Sequence, residues 1–128
     1  MSSELHRKLS FEIDEWEFGK ASFSFRAPDM FRFQKSGSVH GGILALVLDV
    51  AACFAVISAV GRDCFTVDLR CDFSAPAKGA QFTATGQLLT KVGRLAWADA
   101  AVRDATGEAV ACGRGLFSWS REKQVKES

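Results

Sequence analysis

The chain has 128 residues, 48% of them hydrophobic and 24% charged, and a formal net charge of +1. That length suits one domain spanning 1–128, with a core over about residues 10–119 that buries about two-thirds of the unfolded surface. The near-neutral charge argues against a nucleic-acid-binding surface. The four cysteines, Cys53, Cys64, Cys71 and Cys112, show no Cys-x-x-Cys spacing, and His6 and His40 are the only histidines. No metal site is therefore expected, and free thiols in a reducing cytosol are the simplest reading.

Met1 to Lys8 carries no apolar signal-peptide core, so no leader is expected and the location reads as cytoplasmic. Leu9 to Phe18 alternates Leu9, Phe11 and Ile13 against Ser10, Glu12 and Asp14. Gly19-Lys20 reads as a turn, and Ala21 to Arg26 alternates again, which predicts a hairpin. Pro28-Asp29 breaks the pattern, and Met30 to Gln34 forms either a short helix or an ordered loop. Lys35-Ser36-Gly37-Ser38 leads into a long apolar run.

That run, Val39 to Val60, is the organising element. From Gly41 to Val60 its only ionisable side chain is Asp49. A helix apolar on every face belongs inside something, and twenty residues span about 30 Å, the width of a small domain or of a bilayer core. A charge near the middle, no Trp/Tyr belts and no Lys/Arg asymmetry argue against a membrane span. Amphipathic strands elsewhere in the chain supply the cover that a core helix needs.

Asp49 has two readings. It is either a polar residue satisfied by a neighbouring hydroxyl or amide, or a carboxylate poised as base or nucleophile, since burial raises a carboxyl pKa. Gly41-Gly42 at the helix start lets a ligand approach backbone N–H groups that have no helical partner and carry the positive end of the dipole. Such groups suit an oxygen developing negative charge. Gly41 precedes Asp49 by eight residues, about 12 Å along one axis. Partners on one reacting carbonyl must lie within about 3 Å of it. Both can serve one carbonyl only if they come from two copies of the chain, in a two-fold dimer with antiparallel central helices.

Beyond Gly61, Phe65 to Phe73 alternates Phe65, Val67, Leu69, Cys71 and Phe73 against Thr66, Asp68, Arg70 and Asp72. Ser74 to Gly79 is a loop. Gln81 to Lys91, Leu95 to Arg103 and Val110 to Trp119 are further strands, separated by turns at Val92-Gly93-Arg94 and Asp104 to Gly107. Ala96, Ala98, Ala100 and Val102 form a small-residue face suited to a closely packed helix. Arg121 to Ser128 is a polar tail. Tight turns imply antiparallel neighbours, so the expected class is α+β, a curved antiparallel sheet wrapped around one long central helix.

Val39-His40-Gly41-Gly42 with Asp49 nine positions after the histidine, followed by Thr66-Val67-Asp68 and Ser74-Ala75-Pro76-Ala77-Lys78, resembles the hot-dog-fold thioesterases, specifically the phenylacetate-degradation (PaaI-type) branch. The similarity runs from about Ser10 to Trp119. It implies an acyl-CoA thioesterase acting on an aryl-acyl or short- to medium-chain thioester. It implies no metal or redox cofactor, and a homodimer, with a homotetramer formed by two dimers. Carried over, Asp49 is the catalytic carboxylate, Gly41 N–H the oxyanion donor across the dimer interface, and His40 a residue shaping the site. Gln34 stands where this branch often has Asn and a related branch has Gln. Thr66 matches a hydroxyl that orients water or the Asp, although strand alternation puts it on the polar side unless the strand start twists. Gly42 and Phe33 are candidate substrate contacts, as are Phe31 and Phe54 for the acyl pocket, and the three phenylalanines also read as plain core residues. Lys78, Lys91 and Arg94 are candidate partners for coenzyme A phosphates, and each also reads as a solvated surface charge.

Two rivals follow from the same residues. One is a hot-dog protein that binds acyl-CoA without hydrolysing it, as a sensor or carrier. The other is a hot-dog dehydratase or hydratase, which needs a placed catalytic histidine, and His40 is the only internal one.

Overall fold

A computed structural model describes residues 4–121. A short helix, α1 (Glu4–Lys8), precedes β1 (Glu12–Glu17) and β2 (Lys20–Arg26). A 3-10 turn at Asp29–Phe31 leads to the long helix α2 (Gly41–Val60). Then follow β3 (Phe65–Phe73), β4 (Gln81–Val92), β5 (Leu95–Asp104) and β6 (Ala109–Ser118). All neighbours pair antiparallel, in the order β1-β2-β4-β5-β6-β3. The architecture is α+β, as the turn lengths implied. Of the polar tail read in the sequence, residues 122–128 lie outside the described residues, as do residues 1–3.

Helix α2 has the bounds that its apolar run predicts. His40 caps its start, and Gly61 closes it in the left-handed conformation (φ +71°), donating to the Ile57 carbonyl at 2.8 Å. All six strands touch α2. Six strands about 4.8 Å apart span roughly twice the width of a helix, so a sheet whose two edges reach the same helix must curve round it.

The closest approach is over β4 and β5. A Cβ at Gly86 would lie 1.9 Å from the Ala51 carbonyl oxygen, so only glycine lets the helix backbone come this near. Ala96, Ala98, Ala100 and Val102 are buried beneath it, as their small size suggested. Phe23, Phe25, Phe82 and Phe117 fill the remaining core.

Covered on one side, α2 keeps a half-buried stripe through Ala45, Leu46, Asp49, Cys53 and Ile57. It is long and apolar enough to cross a bilayer, yet Val47, Leu48, Ala51, Ala52 and Ala55 are packed against the sheet.

The N-terminus departs from the strand expected over Leu9 to Phe18. Glu4 pairs with Arg7 at 2.9 Å and Lys8 at 3.9 Å, and the acidic start and basic end suit the helix dipole. Ser10 turns the chain at φ +53°. Leu9 is buried as a plug after α1, and its carbonyl accepts from Arg26 N–H at 2.8 Å.

β3 is the other edge of the sheet. It pairs with β6 on one side only, and Phe65, Val67 and Phe73 are each more than half exposed. All four cysteines are free thiols.

Candidate active site

Asp49 projects from the uncovered stripe of α2 and is half-buried, not enclosed. Its Oδ1 accepts a 2.7 Å hydrogen bond from Thr66 Oγ1. Simple alternation from Phe73 back along β3 would turn Thr66 away from the helix. Thr66 stands opposite Phe117 and Asp68 opposite Leu116, so Val67 is an extra residue without a partner. A bulge of this kind re-aims the side chains before it. Thr66 thereby shares the face of Phe117, which is fully buried towards the helix.

The Cys53 and Cys71 thiols flank the carboxylate. Burial, then the nearby Cys64, Asp49 and Asp63, pushes Cys53 up to about 12. Burial first and Asp49 second push Cys71 in the same direction. Both are therefore neutral thiols.

The second group of residues lies at the start of α2. His40 Nδ1 accepts from Gly42 N–H at 2.9 Å, and the ring stacks on Phe33 with centroids 5.2 Å apart. A Cβ at Gly42 would come within 3.1 Å of that nitrogen, so the glycine makes room for the cap. Gly42 N–H is thus engaged, whereas Gly41 N–H bonds to no group among the described residues. Gly41 instead opens onto a hollow of about 410 Å³ lined by Phe33, Val39, Leu44, Phe73 and Ala77.

The approach to the helix is held by backbone bonds. Val39 N–H donates to the Ala77 carbonyl and His40 N–H to that of Phe31. Gln34 sits in the turn closed by Gly37 N–H and the Phe33 carbonyl, and its side chain is exposed. Phe31 is partly buried against the core, and Phe54 is buried beside Trp16 and Phe23.

On one chain the candidates form two groups at opposite ends of β3. Gly41 lies beside Phe73, with 3.8 Å between its Cβ position and that ring, and Asp49 lies beside Thr66. Lys78 adjoins the Gly41 group in the loop before β4. Lys91, near the end of β4, and Arg94, in the β4–β5 turn, lie near the other end. Lys91 Nζ lies 5.8 Å from the Trp119 ring centre, and the Arg94 carbonyl accepts from Ser118 Oγ at 2.6 Å.

Phe73 was missed as a site residue. Its signal was its place as the last apolar position of the cleanest strand, directly before the Ser74 to Lys78 segment. Among the described residues no cluster of three or more His, Cys, Asp or Glu could hold a metal ion.

The fold and these two groups define a hot-dog protein with a helix-borne carboxylate and an open helix-start N–H. The thioesterase superfamily model matches residues 36–111. The chain is 30% identical over 107 residues to the medium/long-chain acyl-CoA thioesterase YigI of Escherichia coli K12, covering 71% of this chain and 69% of that protein. A solved thioesterase-superfamily protein superposes with a TM-score of 0.87 at 29% identity, over 92% of this chain and 90% of the other. The PaaI protein of the Escherichia coli phenylacetic acid degradation operon shares the fold, with a TM-score of 0.86 at 21% identity over 95% and 88%. The chain belongs to the thioesterase superfamily. It is a hot-dog thioesterase, an enzyme of the hydrolase class.

Proposed function

We propose that this protein hydrolyses acyl-CoA thioesters to the free acid and coenzyme A, as one domain, without a metal or redox cofactor and in the cytoplasm. The observation that carries the reading is the Asp49–Thr66 pair on the stripe of α2 that the sheet leaves uncovered. The thioester carbonyl oxygen docks at Gly41 N–H, where the helix dipole stabilises developing negative charge. Asp49, oriented by Thr66, takes a proton from attacking water or attacks the carbonyl itself. The carbon–sulfur bond breaks, and the leaving thiolate takes up a proton as coenzyme A. Phe33 and Phe73 flank the reacting group, and the exposed Gln34 amide lies close enough in the chain to donate to the carbonyl or hold the water.

Each complete site uses two chains. β3 has an open edge with exposed Phe65, Val67 and Phe73. Two such edges pairing antiparallel about a two-fold axis bring the Phe73 end of one chain beside the Thr66 end of the other. Gly41 of one chain then faces Asp49 of the second. Two dimers associate further into a tetramer. The acyl groups favoured by the sequence are aryl-acyl and short- to medium-chain, while the relative YigI is named for medium and long chains.

The test is coenzyme A release across aryl-acetyl, benzoyl and straight-chain acyl-CoA substrates. Asp49→Asn and a bulky substitution, Gly41→Val, are each expected to be inactive alone. Mixed and refolded together, they form heterodimers with one intact site and one doubly defective site, and activity returns. Inactivity of the wild type across the panel defeats the hydrolase reading in favour of a binding protein. Failure of the mixture to recover activity, with mixed dimers confirmed by mass, defeats the shared site.

A further inference from the structure

On the other side of the loop that carries Phe33 from the Gly41 hollow lies a second cleft, of about 590 Å³, lined by Lys8, Arg26, Asp29, Arg32 and Gly79 among others. Three cations and one carboxylate give it a net charge of +2, on a protein whose total is +1. The Arg26 guanidinium, exposed at the end of β2, has no hydrogen bond or ion pair with any described residue. Lys8 has only a 3.9 Å contact to the exposed Glu4, a weak pair.

Arg32 is held differently. It donates to the carbonyls of Ala27, Gly37 and Gly79, so its charge is fixed in place by neutral groups. Two of its five N–H donors remain uncommitted. A rigid guanidinium with no carboxylate partner, beside a second free one, is a donor set matched to phosphate oxygens.

The cleft also stands in the right place. Arg32 pairs with Val39 across an isolated bridge, and successive residues of extended chain face opposite ways. Phe33 lines the Gly41 hollow while Arg32 lines the cleft, and Ser38 and Gly37 divide in the same way. Hollow and cleft lie back to back across one narrow ribbon, and Lys78 sits on its rim next to Gly79. The pantetheine arm between a thioester and the phosphates of coenzyme A is as long as four or five extended residues, roughly 15 Å. That length carries it from Gly41 N–H over the ribbon.

We propose that the Lys8–Arg26–Arg32 cleft binds the phosphates of the coenzyme A nucleotide. The assignment rests on the acyl-CoA reading above and adds residues that the sequence did not single out. It moves the phosphate contacts away from Lys91 and Arg94.

The test compares an acyl-CoA with the same acyl group on pantetheine, which lacks the nucleotide. Arg26→Ala is expected to raise KM for the acyl-CoA about tenfold, the loss of a charge-assisted contact, while KM for acyl-pantetheine stays put. Arg103→Ala removes the same charge from the far face of the sheet. An equal rise in that variant marks a net-charge effect and overturns the proposal.

Calorimetric titration with adenosine 3′,5′-bisphosphate gives a readout that needs no turnover. Binding to wild type that is lost in Arg26→Glu supports the cleft, even if no thioester is hydrolysed and the catalytic reading falls. Unchanged bisphosphate binding, or equally tight binding of inorganic phosphate, overturns the nucleotide assignment while leaving thioesterase activity untouched.

Discussion

Thr66 Oγ1 donates to Asp49 Oδ1 at 2.7 Å across the gap between β3 and α2. The bond orients one carboxylate oxygen and leaves Oδ2 without a partner among the described residues. Asp49→Ala is expected to lower turnover by about 10²–10⁴, the range for loss of a general base. Its half-buried site should keep the change in stability within about 1 kcal/mol. Thr66→Val keeps the shape and removes the donor, so kcat should fall about tenfold with KM little changed. Coenzyme A release and thermal melts on the same preparations check both. Wild-type kcat in Thr66→Val would show that the hydrogen bond is idle.

The two glycines at the helix start should separate in their effects. A methyl at Gly41 would meet Phe73 at 3.8 Å, an ordinary contact, so nothing within the chain demands glycine there. Gly41→Ala is expected to fold with equal or greater stability, by up to about 1 kcal/mol, and to lose activity by crowding the open N–H. A methyl at Gly42 would come within 3.1 Å of His40 Nδ1 and displace the cap. Gly42→Ala should therefore lose about 1 kcal/mol of stability. Denaturant titration beside turnover distinguishes the two, and matching losses in both would contradict the assignment.

Gly86→Ala tests the closeness of helix and sheet. Its Cβ would lie 1.9 Å from Ala51 O and 2.5 Å from Ala51 C, both backbone atoms that cannot swing aside. The helix must lift from β4, at a cost of about 3 kcal/mol or more. A urea midpoint like that of wild type would show that the two elements can part cheaply.

Asp104 ties the β5–β6 turn. Its Oδ1 accepts from the Thr106 hydroxyl at 2.6 Å, Thr106 N–H at 3.0 Å and Glu108 N–H at 3.1 Å. The Thr106 hydroxyl first, with the backbone N–H groups, holds the carboxyl below its ordinary value. A depressed folded-state pKa stabilises the fold above the unfolded value and loses that contribution as pH falls through the folded one. Asp104→Asn should therefore be less stable than wild type at neutral pH, with the gap closing in acid below about pH 4. A stability gap that is constant with pH would locate the loss elsewhere.

Much of this was legible because the signals are local. Asp49 stood out as the one ionisable residue in an apolar run, and the bounds of α2 follow from where that run stops. The small face of β5 announced close helix packing. The strand expected over Leu9 to Phe18 failed at its start because an alternating apolar pattern also arises when a buried plug follows a short helix. Strict alternation puts Thr66 on the polar side unless the strand start changes face, and one unpaired residue, Val67, makes that change while leaving no mark in composition. The half-burial of Asp49 could not be read from a run that is apolar on every face. The sheet covers only one side of α2, and the run is uniform on both. The Arg26–Arg32 cleft draws on segments far apart in the chain, which no local window joins.

The cap on α2 settles what His40 can do. Its Nδ1 lone pair is committed to Gly42 N–H, so the neutral ring carries its proton on Nε2. The outward edge of the imidazole is then a donor. It can offer a hydrogen bond, but it has no lone pair there with which to take a proton. A reaction that begins by lifting a proton from carbon with this histidine would first have to uncap the helix. Under the proposed hydrolysis the proton acceptor is instead a carboxylate, Asp49, the one that α2 carries.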